Sequence, residues 1–127
     1  MVQKINEVYR CQICGNIVEV LTVGGGQLVC CNQAMTLLTA NTTDASQEKH
    51  VPVIKKTSDG YQVIIGDVEH PMTQEHYIEW IALHTPAGIY RQYLKPNDQP
   101  MAEFCYSGNA IKASCYCNLH SLWEKSI

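Results

Sequence analysis

The sequence predicts an all-β protein in two parts: a small metal-bound N-terminal unit, then an immunoglobulin-like antiparallel β-sandwich. Three observations predict it. No helical spacing of apolar residues is sustained over about three turns anywhere in the 127 residues. From residue 48 onward, short apolar stretches alternate with turn residues at intervals of roughly 8–12 residues, the pattern of a sandwich or barrel. Ahead of them, four cysteines fall in a segment too poor in apolar residues to build its own core.

Composition narrows the function classes. Net charge is -3, so no basic surface points to nucleic acid or an anionic membrane. No apolar run approaches the roughly 18 residues that a membrane span needs. The first residues lack the apolar core and cleavage site of a signal peptide, and a soluble cytoplasmic protein is the expectation. In such a reducing compartment, seven cysteines are read as metal ligands or buried thiols rather than disulfides. The odd count and five histidines point the same way.

The first unit is assigned to residues 1–37. Cys11-Gln12-Ile13-Cys14-Gly15 is a tight knuckle whose backbone amides can face the thiolates. Residues 16–21 read as a strand and Gly24-Gly25-Gly26 as a turn, leading to the adjacent pair Cys30-Cys31. Residues 37–47 are small and polar and read as a connecting stretch. In the second unit, 38–127, strands at 51–56 and 61–65 flank Ser58-Asp59-Gly60. Strands at 77–84 and 88–94 flank Thr85-Pro86-Ala87, and strands at 101–106 and 110–116 flank Ser107-Gly108-Asn109.

Two groups of residues carry chemistry. Cys11, Cys14, Cys30 and Cys31 offer four thiolates, a set that suits zinc or iron. A zinc ribbon uses a second CxxC where this chain has neighbouring cysteines, which favours iron. The second group closes the chain. Cys117-Asn118-Leu119-His120 places a thiol and an imidazole close together, and Glu48-Lys49-His50 opens the same unit. His70 and His76 sit between them in a loop broken by Pro71, and loops at one end of a sandwich can converge on one metal. Any one of these histidines, taken singly, reads as a surface residue. Four of them with a Cys-x2-His read as a site for iron, copper or zinc. Four nitrogens and one sulfur would leave a sixth position open, as a catalytic metal requires.

With these motifs in order over essentially the whole chain, the sequence resembles desulfoferrodoxin, the two-iron class of superoxide reductase. The matching residues are Cys-x2-Cys with a later Cys-Cys, Glu48-Lys49-His50, His70-x5-His76 followed by Tyr-Ile-Glu-Trp, and Cys117-Asn-x-His120. The resemblance implies a desulforedoxin-like, rubredoxin-related iron centre on Cys11, Cys14, Cys30 and Cys31. It implies a second iron with His50, His70, His76 and His120 in the equatorial plane and Cys117 axial. Glu48 matches a sixth ligand of the oxidised resting state, and Lys49 the cation beside the open position. The implied reaction is one-electron reduction of superoxide to hydrogen peroxide. A rubredoxin-like donor and a homodimer are implied as well.

Departures from the family pattern are Ser121, where glycine is usual after the histidine, and the additional Cys105, Cys115 and His84. Cys105 and Cys115 read as small buried apolar residues, His84 as structural, and Trp123 as packing beside the site. Competing functions are a rubredoxin-like electron carrier without turnover, a zinc-binding interaction module and a dismutase. The five-donor set exceeds the four ligands usual for zinc.

Overall fold

Short β-strands account for all the regular structure of the computed structural model, which describes residues 1–43 and 49–127. No helix occurs among the described residues, and none is long and apolar enough to cross a membrane. Glu48 and residues 44–47 of the connecting stretch lie outside the described residues. The described chain divides into two units, Met1–Thr39 and Ala40–Ile127.

In the first unit, β1 (Val8–Arg10) lies between β2 (Ile17–Glu19) and β5 (Thr36–Leu37). The pair β3 (Val29–Cys30) and β4 (Gln33–Ala34) forms a separate hairpin. The sequence predicted only β2 among these five, because strands of two or three residues leave no readable alternation. The connecting stretch begins inside this unit. Leu37 pairs with Tyr9, and the Leu38 amide donates to the Val8 carbonyl at 2.8 Å. Buried Val2, Tyr9 and Val20, with half-buried Leu28 and Met35 against them, are the unit's main apolar cluster. So few side chains leave the stability of the unit to its cysteines.

The second unit has seven strands in two sheets. One sheet orders β10 (Met101–Cys105), β7 (Gly60–Ile65) and β6 (Pro52–Lys56). The other orders β12 (Ser121–Ser126), β11 (Lys112–Cys117), β8 (Ile78–Thr85) and β9 (Gly88–Tyr93). Every pairing in both sheets is antiparallel. The core lies between them: Val63, Ile65, Phe104 and Ala102 from the first sheet meet Ile81, Leu83, Ala113 and Cys115 from the second. Each large aliphatic side chain removed from water here contributes about 1.5–3 kcal/mol.

Two details depart from expectation. The final strand, β12, is absent from the sequence reading, since Glu124-Lys125-Ser126 dilute its apolar residues. Cys105 is exposed rather than buried. The reason is the two-residue period of a strand: Ala102 and Phe104 point into the core, so Met101, Glu103 and Cys105 take the other face.

One irregularity positions the site. The β8–β11 register shifts between Tyr116 and Cys117, so that Cys115 faces Ile81 but Cys117 faces Ile78, with Glu79 as the extra residue. The bulge brings both Ile78 and Cys117 into the core at the end of the sheet.

Candidate metal centres

The first candidate is the four-thiol group of the N-terminal unit. The Gly15 amide donates to the Cys11 carbonyl at 3.0 Å and the Cys11 amide to the Asn16 carbonyl at 2.9 Å, which folds residues 11–16 into a tight loop. Gly15 has φ 83°, a conformation that glycine adopts freely. Inside the loop, the Cys14 amide points at Cys11 Sγ at 3.4 Å and the Asn16 amide at Cys14 Sγ at 3.5 Å.

Neighbouring residues on an extended strand point to opposite faces, so Cys30-Cys31 requires a special backbone. Cys31 and Asn32 have φ 52° and 67°, and they form the two-residue turn between β3 and β4. Positive φ at both central positions marks a type I′ hairpin. This turn swings Cys31 Sγ back to 3.9 Å from Cys30 Sγ, while Cys14 Sγ lies 3.6 Å from Cys30 Sγ. Four sulfurs each about 2.3 Å from one ion would be about 3.8 Å apart, so the spacing fits a tetrahedral ion.

The thiols also share charge unevenly. Hydrogen bonding from the Cys14 amide, partly offset by burial, lowers the Cys11 thiol to about 6. Cys30, hydrogen-bonded to the Cys14 and Cys11 sulfurs, is pushed up to about 12, and contact with Cys14 raises Cys31 as well. Four adjacent thiols cannot all ionise without a cation among them.

The second candidate is built from four places in the β-sandwich unit. His50 lies two residues before β6, His70 and His76 lie in the β7–β8 loop, Cys117 ends β11, and His120 occupies the β11–β12 turn. Their imidazoles form a closed ring of neighbours. Centroids are 4.5 Å apart for His50–His70, 4.7 Å for His70–His76, 5.1 Å for His76–His120 and 5.0 Å for His50–His120. The His50–His76 diagonal is 6.4 Å, so the ring is close to square. Adjacent rings meet at 62–82°, like propeller blades around a common centre.

Donor atoms of His50, His76, Cys117 and His120 all lie within 4.8 Å of one another. Cys117 is fully buried and its Sγ is 3.8 Å from His120 Nδ1, whereas His120 is exposed. The sulfur therefore sits on the inner side of a site that opens at the protein surface.

Local chemistry holds each ring. His70 Nδ1 donates to the Pro71 carbonyl at 2.7 Å, which leaves Nε2 as the nitrogen that could ligate a metal. Reciprocal hydrogen bonds between the Thr73 and His76 backbones close a tight 73–76 turn, reinforced by the Thr73 hydroxyl. Asn118 joins the two ligand-bearing loops. Its Oδ1 accepts from the Tyr77 amide at 2.9 Å, its Nδ2 donates to the Glu75 carbonyl at 2.9 Å, and its own amide donates to the Tyr77 carbonyl at 3.2 Å. Those partners flank His76. Asn118 appears in the sequence only as a spacer, and its role depends on a loop 41 residues away.

Of the residues singled out from the sequence, the four cysteines come together in one group and the four histidines with Cys117 in another. Lys49 is half-buried next to His50. Its backbone is crossed closely by Gly66, where a Cβ would lie 2.5 Å from the Lys49 carbonyl oxygen. Gly66 also has φ 80°, so this crossing needs glycine twice over. Cys115 is buried outside the donor group, with its Sγ donating to the His50 carbonyl at 3.4 Å. His84 Nε2 lies 2.7 Å from the Ser114 hydroxyl on the outer face of the sheet and belongs to neither donor group.

A match to the family described as "Desulfoferrodoxin" covers residues 42–126, and one to "Desulfoferrodoxin, N-terminal domain" covers residues 3–38. A protein named desulfoferrodoxin from Syntrophotalea carbinolica is 54% identical over 124 residues, 98% of each chain. Another from Nitratidesulfovibrio vulgaris is 52% identical, covering 93% of this chain and 94% of that one. The crystal structure of the superoxide reductase from Treponema pallidum superposes with a TM-score of 0.80 at 27% identity, covering 94% of this chain and 97% of that one.

Proposed function

The chain belongs to the desulfoferrodoxin family, and from that premise we propose that it is a superoxide reductase with two mononuclear iron centres. The observation that carries the proposal is the near-square of four imidazoles beside a buried thiol, all within one folded unit. Four imidazoles and one thiolate would hold an iron ion, which when bound would supply the single electron the reaction needs. Superoxide takes up that electron and two protons to become hydrogen peroxide. A one-electron donor then restores the protein.

In this reading His50, His70, His76, His120 and Cys117 would together hold the iron. The buried Cys117 thiolate would donate electron density to a bound iron, as in thiolate-ligated haem. Lys49 supplies a positive field beside the open position, which a protein of net charge -3 needs to attract an anion. Lys49 also orders water for proton delivery. On family resemblance, Glu48 would offer its carboxylate to the same iron. Cys11, Cys14, Cys30 and Cys31 hold the second iron, whose role is electron transfer.

A rubredoxin-like protein is proposed as the donor, and the cytoplasm as the compartment, in keeping with seven cysteines that form no disulfide. A homodimer is proposed too. Exposed apolar side chains crowd the first unit, with Ile13, Leu21 and Val29 each 60–79% exposed.

The test is product stoichiometry. The reduced protein is mixed with a known pulse of superoxide, and hydrogen peroxide and oxygen are measured. A reductase yields as much peroxide as superoxide consumed and no oxygen. Half that peroxide with an equal amount of oxygen would indicate dismutation. No acceleration of superoxide decay would leave an electron carrier.

A further inference from the structure

Trp123 touches two of the four imidazole-bearing residues and offers no lone pair to a metal. Its ring stacks on the His50 imidazole at 4.5 Å and 14°. Its indole N–H donates to the His120 carbonyl at 2.9 Å. Directly across the β11–β12 hairpin stands Cys115, whose thiol donates to the His50 carbonyl at 3.4 Å. One cross-strand pair thus grips the ring and backbone of His50 and the backbone of His120, residues that lie 70 positions apart in the sequence.

We propose that Trp123, assisted by Cys115, is a positioning residue that fixes the orientation of His50 relative to His120. The proposal rests on the reading that the four-imidazole site holds iron. An imidazole bound through one nitrogen can still rotate about its bond to the metal. A parallel indole face at stacking distance blocks that rotation for His50. The indole N–H holds the 118–120 turn, so His120 stays in place although its side chain is exposed. Both the stack and the hydrogen bond are made by one rigid side chain that is 8% exposed and seated in the core cluster. Changes there pass directly to the angle between two ligand rings. Groups that orient ligating histidines typically govern metal retention and electronic properties as strongly as some ligands do.

The test uses the full-length, iron-loaded protein and four variants: Trp123→Leu, Trp123→Phe, Cys115→Ala and Cys115→Ser. Phenylalanine keeps an aromatic face and loses the N–H, whereas leucine loses both. The measurements are iron release to a chelator, the thiolate-to-iron absorption band and midpoint potential of the histidine-cysteine site, and the thermal midpoint. The four-thiolate absorption serves as an internal reference. Trp123→Leu is expected to release iron about 10-fold faster with a shifted band. Trp123→Phe is expected to release it about 5-fold faster, the worth of one hydrogen bond. Cys115→Ala is expected to lie between wild type and Trp123→Phe, and Cys115→Ser, which keeps a donor, nearer wild type.

Native band, potential and release rate in both Trp123 variants would overturn the proposal, leaving Trp123 as core filling alone. Should Trp123→Leu fail to fold, Trp123→Phe decides: a native band at a native thermal midpoint overturns the proposal. Wild-type protein that binds no second iron would instead overturn the reading on which the proposal rests.

Discussion

Cys31 and Lys49 show how much a single residue can settle. Two adjacent cysteines on a strand are awkward ligands for one ion, since neighbours there diverge. The positive φ of Cys31 removes the difficulty by placing it in a tight turn, with its sulfur back beside Cys30. Nothing in the pair itself announces this. The following Asn32, a residue that tolerates the left-handed region, is the one available signal. Lys49 was legible because it adjoins His50, but the close crossing of Gly66 that fixes its backbone is a long-range contact. Replacing Lys49 by alanine is expected to slow superoxide capture about 10-fold at low ionic strength and to flatten its salt dependence. Decay of pulse-generated superoxide across a salt series measures both. An unchanged rate at low salt would remove the steering role.

At the scale of elements, the β11–β12 hairpin carries the most. It bears Cys117 and His120, ties His76 in place through Asn118, and presents Trp123 to His50. Its turn contains the departure at Ser121, which has φ 71° and pairs with Cys117. A serine in the left-handed region is strained where glycine is not, by roughly 1–2 kcal/mol before the greater unfolded-state freedom of glycine is subtracted. Ser121→Gly should therefore stabilise the unit by about 0.5–1 kcal/mol, seen as a rise of a few degrees in the thermal midpoint. A fall in the midpoint would show that the serine hydroxyl matters more than the strain.

The same hairpin marks a limit of sequence reading. Strands at 51–56, 61–65, 77–84 and 88–94 were legible from turn residues between apolar runs. β12 was not, because its second half is polar. Cys105 could have been placed correctly, since Phe104 beside it already claims the inward face. The bulge at Tyr116–Cys117 has no local signature, as it arises from pairing with β8.

For the whole molecule, the division of labour was legible early. Too few apolar residues in the first unit and too many ligating residues in both units pointed to two metal centres. What no single stretch could supply was the convergence of His50, His70, His76 and His120, drawn from three loops of one sandwich. Convergence is a property of topology: the start of β6, the β7–β8 loop and the β11–β12 turn all open at one end of the sheets. The two centres belong to separate folded units, so one can be disabled while the other reports on the integrity of the protein. That independence makes the most direct test possible. Cys117→Ser protein, reduced and exposed to pulse-generated superoxide, should lose superoxide reduction while keeping the absorption of the four-thiolate centre. Full reductase activity in that variant would contradict the assignment of the reactive iron to the four histidines and Cys117.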